Sequence, residues 1–224
     1  MPKEDTRPTV VQKQKTQGFT VTFPYVGQKR TKFHFSNKEL RDLSIGVLLV
    51  AGVGLSLVGF QSIVYLDVGM LAVYTVMFTT SFFMHEIAHK AVAQSYGLWA
   101  EFRLTLTGTL LTLLSIISPF IKIIAPGAVM VAGPHDRKTM GKTSVAGPAT
   151  NLTLATLLIA LTFVIPSYSL ILARVAFFNG WIAIFNLIPI GILDGLKVFT
   201  WDKRIWALSF SVSLAVTIAS YLYF

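Results

Sequence analysis

Five apolar runs, each near the 20 residues that a helix needs to cross a bilayer, dominate this sequence: roughly Leu43–Phe60, Met70–Tyr96, Ser144–Ile165, Ser169–Pro189 and Ile205–Phe224. Hydrocarbon offers backbone amides no partner, so such runs are confined to helices that satisfy their own hydrogen bonds. Composition agrees. Of 224 residues, 54% are hydrophobic and 13% charged, where an ordinary soluble domain carries about 25% charged residues. The expected fold class is an all-α polytopic membrane protein.

A sixth apolar run, Leu110–Ile124, is interrupted by Ser118-Pro119, and basic residues decide how to read it. Residues 1–42 hold nine Lys/Arg against four Asp/Glu, which marks that segment as cytoplasmic and drawn to anionic lipid rather than nucleic acid. If Leu110–Ile124 crossed the membrane, Arg137, Lys138, Lys142, Lys197, Lys203 and Arg204 would lie opposite the basic N-terminus. If the run dips in and returns, they lie on the same side. The second version obeys the positive-inside rule. It predicts five spans plus a re-entrant segment, with six spans as the alternative. The chain then divides into a basic cytoplasmic segment, 1–42, and a membrane-embedded domain, 43–224, in the cell membrane. The start is polar and lacks the apolar core of a secretory signal.

Short strands are expected beside the spans. Residues 1–16 have no apolar period and read as disordered. "FTVTFPYV" and "RTKFHF" alternate around the turn-like "VGQK", which predicts a β-hairpin. Ser36 with Glu39 forms a capping-box pattern opening the first helix. "EFRLTLT" (Glu101–Thr107) and "APGAVMVAG" (Ala125–Gly133) read as two further strands, and "PHDRKTMGKTS" as a polar loop.

Against this apolar background stands "FMHEIAHK", residues 83–90. Ionisable groups in hydrocarbon cost roughly 2.5 kcal/mol or more each, so their presence implies a function. On a helix His85 and His89 share a face one turn apart and can reach one ion. Glu86 lies beside that face, placed to act as a general base toward water at the metal. Two polar residues bonding between helices would not explain the glutamate. There is no cysteine, so the remaining ligands must come from His, Asp or Glu. His34 falls in the expected hairpin and His135 in a polar loop. Glu101 alternates with Arg103, Asp67 falls on the opposite side, and Asp202 sits among Lys203 and Arg204. Asp194 remains, just past a span on the same side as His85 and His89, after the helix breakers Pro189 and Gly191.

Three segments in order resemble the site-2 protease family of intramembrane zinc metalloproteases. They are "HEIAHKAVAQSYG" from His85, "SVAGPATNL" (Ser144–Leu152) and "NLIPIGILDG" (Asn186–Gly195). The resemblance implies one zinc ion per chain held by His85, His89 and Asp194, with Glu86 catalytic and Asn186 holding substrate near the metal. It also implies that the strand around Gly127 and Val129 receives an extended transmembrane substrate by edge addition. Two positions depart from the family pattern: Ile192 stands where a second proline is common, and Leu196 where a second glycine is. Gly147, Pro148 and Asn151 read as support for the site rather than as its chemistry.

The activity expected is hydrolysis of peptide bonds in transmembrane segments. The partners expected are a transmembrane protein substrate and the lipid bilayer, with no nucleic acid. A catalytically inactive zinc-binding membrane protein that binds transmembrane helices is the alternative. A metal transporter would string ionisable residues through several spans; besides the motif, only Arg174 lies well inside one.

Overall fold

The computed structural model describes residues 10–16, 19–25, 33–58, 68–118 and 122–223. It is mostly helical. Two strands come first, β1 (Val10–Thr16) and β2 (Phe19–Tyr25), paired antiparallel from Val10↔Tyr25 to Thr16↔Phe19. The expected hairpin is therefore displaced. "FTVTFPY" pairs with the segment before it, which was expected to be disordered, and Phe33–Phe35 form no strand. The low apolar content of residues 10–16 hides a strand whose partner supplies the alternation. The turn expected at "VGQK" lies outside the described residues.

Helix α1 (Asn37–Val58) starts where the capping pattern places it, with the Glu39 amide donating to Ser36 Oγ at 3.1 Å. The Glu39 carboxylate does not close the box. It accepts from Lys90 Nζ at 2.5 Å and from the Phe102 amide at 3.0 Å, and so ties α1 to the elements that follow. Helix α2 (Val68–Ser95) ends on Gly97 at φ +75, with Leu98 N bonded to Ala93 O and Gly97 N to Gln94 O. That double closure needs a left-handed residue, which glycine adopts without a Cβ penalty.

Strand β3 (Trp99–Leu104) leads through Thr105, which caps the Gly108 amide, into the short helix α3 (Leu106–Ile117). Strand β4 (Gly127–Ala132) then returns antiparallel to β3, with Leu104 opposite Gly127 and Trp99 opposite Ala132. The excursion through α3 thus leaves and re-enters at one end of the same two-stranded sheet. Lys122 donates to Ser115 O, Ser118 O and Ser56 Oγ, placing a cation at the negative end of α3 and fastening it to α1.

Helix α4 (Arg137–Val164) begins earlier than expected: much of "PHDRKTMGKTS" is helical because Asp136 caps the Thr139 amide at 2.7 Å. A 3₁₀ turn (Pro166–Tyr168) leads to α5 (Ser169–Leu187), then α6 (Asp194–Trp201) and α7 (Lys203–Leu222). The core joins α1, α2, β3 and α5. Phe78 packs on Phe178 with ring centroids 4.1 Å apart, and Phe82 meets Phe102 edge-on. Helix α5 is the hub, packing on α2, α4 and α7. Its Gly180 lets α7 approach so closely that a Cβ there would lie 2.2 Å from Thr217 Oγ1.

Four helical segments, Val68–Ser95, Arg137–Val164, Pro166–Leu187 and Lys203–Leu222, are long and apolar enough to cross a membrane. In α1 the charges fall in the first two turns, and its described apolar part, Leu43–Val58, is shorter. Their outward faces are apolar, with Leu157, Phe163, Leu208, Leu214 and Ile218 exposed. These features make the chain a membrane protein.

Candidate metal centre

His85 and His89 lie one turn apart on the buried face of α2. Their Nε2 atoms are 3.0 Å apart, and Asp194 Oδ2 lies 3.5 Å from His85 Nε2 and 3.0 Å from His89 Nε2. Tetrahedral zinc with bonds near 2.05 Å spaces its ligand atoms about 3.3 Å apart. The three atoms match that spacing before any ion is considered, so the group is built to hold a metal. Two imidazoles and one carboxylate form a donor set that suits zinc and leaves a fourth position open.

Each imidazole is held by its other nitrogen. His89 Nδ1–H donates to Thr143 O at 2.7 Å, and His85 Nδ1–H to Asn151 Oδ1 at 2.5 Å. Both bonds put the proton on Nδ1 and leave Nε2 as the ligand atom. Asn151 is itself fixed: its Nδ2 donates to Asn179 Oδ1 at 2.8 Å and to Ser81 O at 3.2 Å. Asn179 Nδ2 in turn donates to Ser81 Oγ and Val175 O. All of these side chains are buried, and the Asn151 and Asn179 amides are satisfied within the bundle. Gly147 closes the other side. A Cβ there would lie 2.2 Å from His89 Nε2 and 2.6 Å from His85 Nε2.

Asp194 is the first residue of α6, delivered by the broken segment after α5, where Gly191 has φ +59. A Cβ on Gly195 would lie 2.1 Å from Leu187 O, so the next glycine lets the aspartate approach. Asp194 stands against both imidazoles, with Lys197 Nζ 3.5 Å from its Oδ1. It is an anion facing the place of a cation.

Glu86 is buried beside the group, with the backbone of Val129 next to it. The sheet explains why the Val129 amide is available. Thr105 N bonds Pro126 O, so Arg103 and Ala128 face each other as a hydrogen-bonded pair. Val129, one residue on, therefore turns its amide and carbonyl outward. On the other edge of the sheet, the equivalent outward amide of Phe102 is taken by Glu39. One edge is covered, and the other faces Glu86.

Of the remaining expected residues, Gly127 has a packing reason to be glycine, since a Cβ would lie 2.3 Å from Arg103 O. Asn186 turns back on its own helix and donates to Ile182 O at 3.0 Å. His34 and His135 are not in the group. Thr143, Asn179 and Ser81 went unnoticed in the sequence, because a carbonyl acceptor and a polar residue inside an apolar helix give no spacing signal. Lys90 was also overlooked, although a lysine next to His89 in an apolar helix calls for a partner.

The arrangement is that of a membrane metalloprotein with a His-Glu-x-x-His helix and a distant aspartate. Comparison with known proteins carries this further. Over 180 residues, covering 79% of this chain and 91% of the relative, it is 34% identical to a curated protein of Methanocaldococcus jannaschii named "Putative zinc metalloprotease MJ0611". The chain belongs to that zinc metalloprotease family, and its metal is zinc. No family model matches the chain. No solved structure matches it.

Proposed function

We propose that this protein is an intramembrane zinc metalloendopeptidase of the site-2 type, which hydrolyses peptide bonds of transmembrane segments. The observation that carries the reading is the three-residue metal group with the buried Glu86 next to it on the same helix and the β4 backbone at Val129 nearby. A protein that only binds helices has no need to bring a buried carboxylate and an open strand edge to one metal site.

His85, His89 and Asp194 hold the zinc, with Asn151 and Thr143 fixing the two rings. Bound zinc supplies Lewis-acid activation of the scissile carbonyl and of water. Glu86 accepts a proton from the attacking water and returns it to the leaving amine. A substrate helix hides its carbonyls, so it must unwind. Unwound, it adds to β4 through the outward groups of Gly127 and Val129, two residues apart on the same edge. Asn186 holds it near the metal.

The same contacts support a bilayer frame for this reading. Thr143, near the start of α4, touches His89, near the end of α2. The chain between them therefore returns to the side it left, which supports a re-entrant α3 over a sixth span. At 12 residues and about 1.5 Å per residue, α3 is about 18 Å long, short of a bilayer core. The basic segment 1–42 then lies on the metal side, in the cytoplasm.

The test is Glu86→Gln in protein reconstituted with a transmembrane substrate. Cleavage should fall by at least about 100-fold, the usual contribution of a general base, with zinc content unchanged. Equal cleavage by wild type and variant would remove Glu86 from the chemistry and with it this proposal.

A further inference from the structure

A cleft of about 250 Å³, lined by His135, Asp136, Arg137, Met140, Lys197 and Thr200, is linked to the metal group through Lys197, which pairs with Asp194. It lies where two lines away from the metal converge. One is α6, on which Lys197 stands one turn beyond Asp194, with its Nζ 3.5 Å from the Asp194 carboxylate. The other is β4, which ends at Ala132 and passes through Gly133 into His135. From Val129, whose backbone lies near Glu86, to Ala132 is three residues, or about 10 Å of extended strand.

The cleft's charge is unbalanced. Asp136 is engaged as the cap of α4, accepting from the Thr139 amide, and His135 Nδ1 bonds Gly133 O. Among the described residues no carboxylate comes within ion-pairing distance of Arg137; Lys197 is paired with the metal group's own Asp194, and its charge also reaches Glu86. Cations on this side of the membrane are expected of any such protein. Arg137 in the first turn of α4 is not, because the helix dipole opposes a cation there and favours an anion.

We propose that this cleft is a subsite for an acidic residue of the substrate, taking an Asp or Glu side chain about three residues from the bond facing Glu86. The assignment rests on the protease reading above. A strand lying along the outward edge of β4 and running past Ala132 meets Arg137 and Lys197 next. A carboxylate there pairs with both and with the exposed amides of the α4 terminus. An anionic lipid headgroup carries similar charge, so the experiment has to separate the two sources.

The experiment uses zinc-loaded Glu86→Gln protein in neutral detergent, with fluorescent peptides of one apolar sequence in which a single Glu is walked across six positions. Each is compared with its Gln counterpart by anisotropy. At one position the Glu peptide should bind about fivefold tighter, as expected for a partly exposed ion pair, and less so at high salt. Arg137→Glu should abolish that preference and favour Lys at the same position, with zinc content unchanged. The subsite is overturned if no peptide binds, if Glu and Gln peptides bind alike throughout, or if the preference survives Arg137→Glu. It is also overturned if phosphatidylglycerol alone binds in an Arg137-dependent way. Cleavage of the same peptides by protein with Glu86 intact is read separately: a retained Glu preference without cleavage would sink the protease reading and leave the subsite standing.

Discussion

At the scale of single residues, the site depends on an absent side chain. A Cβ at position 147 would occupy the space in front of both Nε2 atoms, so Gly147→Ala should reduce zinc from about one per chain to nearly none while the helices persist. Metal content by mass spectrometry beside circular dichroism checks this. Retained zinc would mean that α4 can shift away from α2. Asn151→Ala tests the opposite side, where the bond that orients His85 is lost. Zinc affinity should weaken by about 10- to 100-fold, the usual cost of removing such a partner, as read by competition with a chelator. These two residues also show where sequence reasoning stops. The spacing of His85 and His89 is a local fact and is legible in five letters. Asp194 could be reached by elimination because acids are scarce in an apolar chain. That Gly147 touches both imidazoles depends on the packing of α2 against α4, which no spacing encodes, so support was the most that could be read from it.

At the scale of elements, α1, α2 and β3 meet at one buried ion pair. Lys90 is 1% exposed and Glu39 0%. Lys90 also donates to His34 O at 2.7 Å and lies over the Phe35 ring at 4.1 Å, while Glu39 holds the outward amide of Phe102. Breaking a buried pair from one side leaves an uncompensated charge and costs about 3–5 kcal/mol. Lys90→Met should therefore lower the unfolding temperature in detergent by about ten degrees, and adding Glu39→Gln should restore part of the loss. A single variant as stable as wild type would show that the pair holds nothing together. In the sequence Glu39 looked like half of a capping box, because the local pattern is complete without Lys90, 51 positions away. The strands expected at Glu101–Thr107 and Ala125–Gly133 are present as Trp99–Leu104 and Gly127–Ala132, but alternation ran the first too far, because Thr105 caps a helix that takes Leu106 and Thr107. The first hairpin was misplaced because the alternating segment has candidate partners on both sides, and alternation does not choose between them. Helix α4 began early for a similar reason: its first turns are polar, and only the Asp136 cap announces them.

At the scale of the whole molecule, the question is how many times the chain crosses the bilayer, and contacts bear on it more directly than hydropathy does. Hydropathy scores Leu110–Ile124 as one more span. Yet the end of α2 and the start of α4 meet at His89 and Thr143, and Asp194, after α5, meets the same two histidines. On the re-entrant reading, the C-terminal end of α2, the N-terminal end of α4 and the C-terminal end of α5 lie on one side, and the 3₁₀ turn at Pro166–Tyr168 on the other. An odd number of crossings between α2 and α4 would pull the site apart. The chain has no cysteine, so single cysteines can report sidedness in an otherwise native background. In sealed vesicles of one orientation, Lys3→Cys, Lys138→Cys and Lys203→Cys should react with a membrane-impermeant maleimide from the same side, and Ser167→Cys only from the other. With six spans, Lys138→Cys and Lys203→Cys would label opposite Lys3→Cys. That result would overturn the re-entrant reading and put the basic loop on the side away from the N-terminus, against the distribution of charge. Agreement would place the metal site, the outward edge of β4 and the cationic cleft on the side of the basic N-terminal segment. A substrate would then have to bring its acidic residue to that same side.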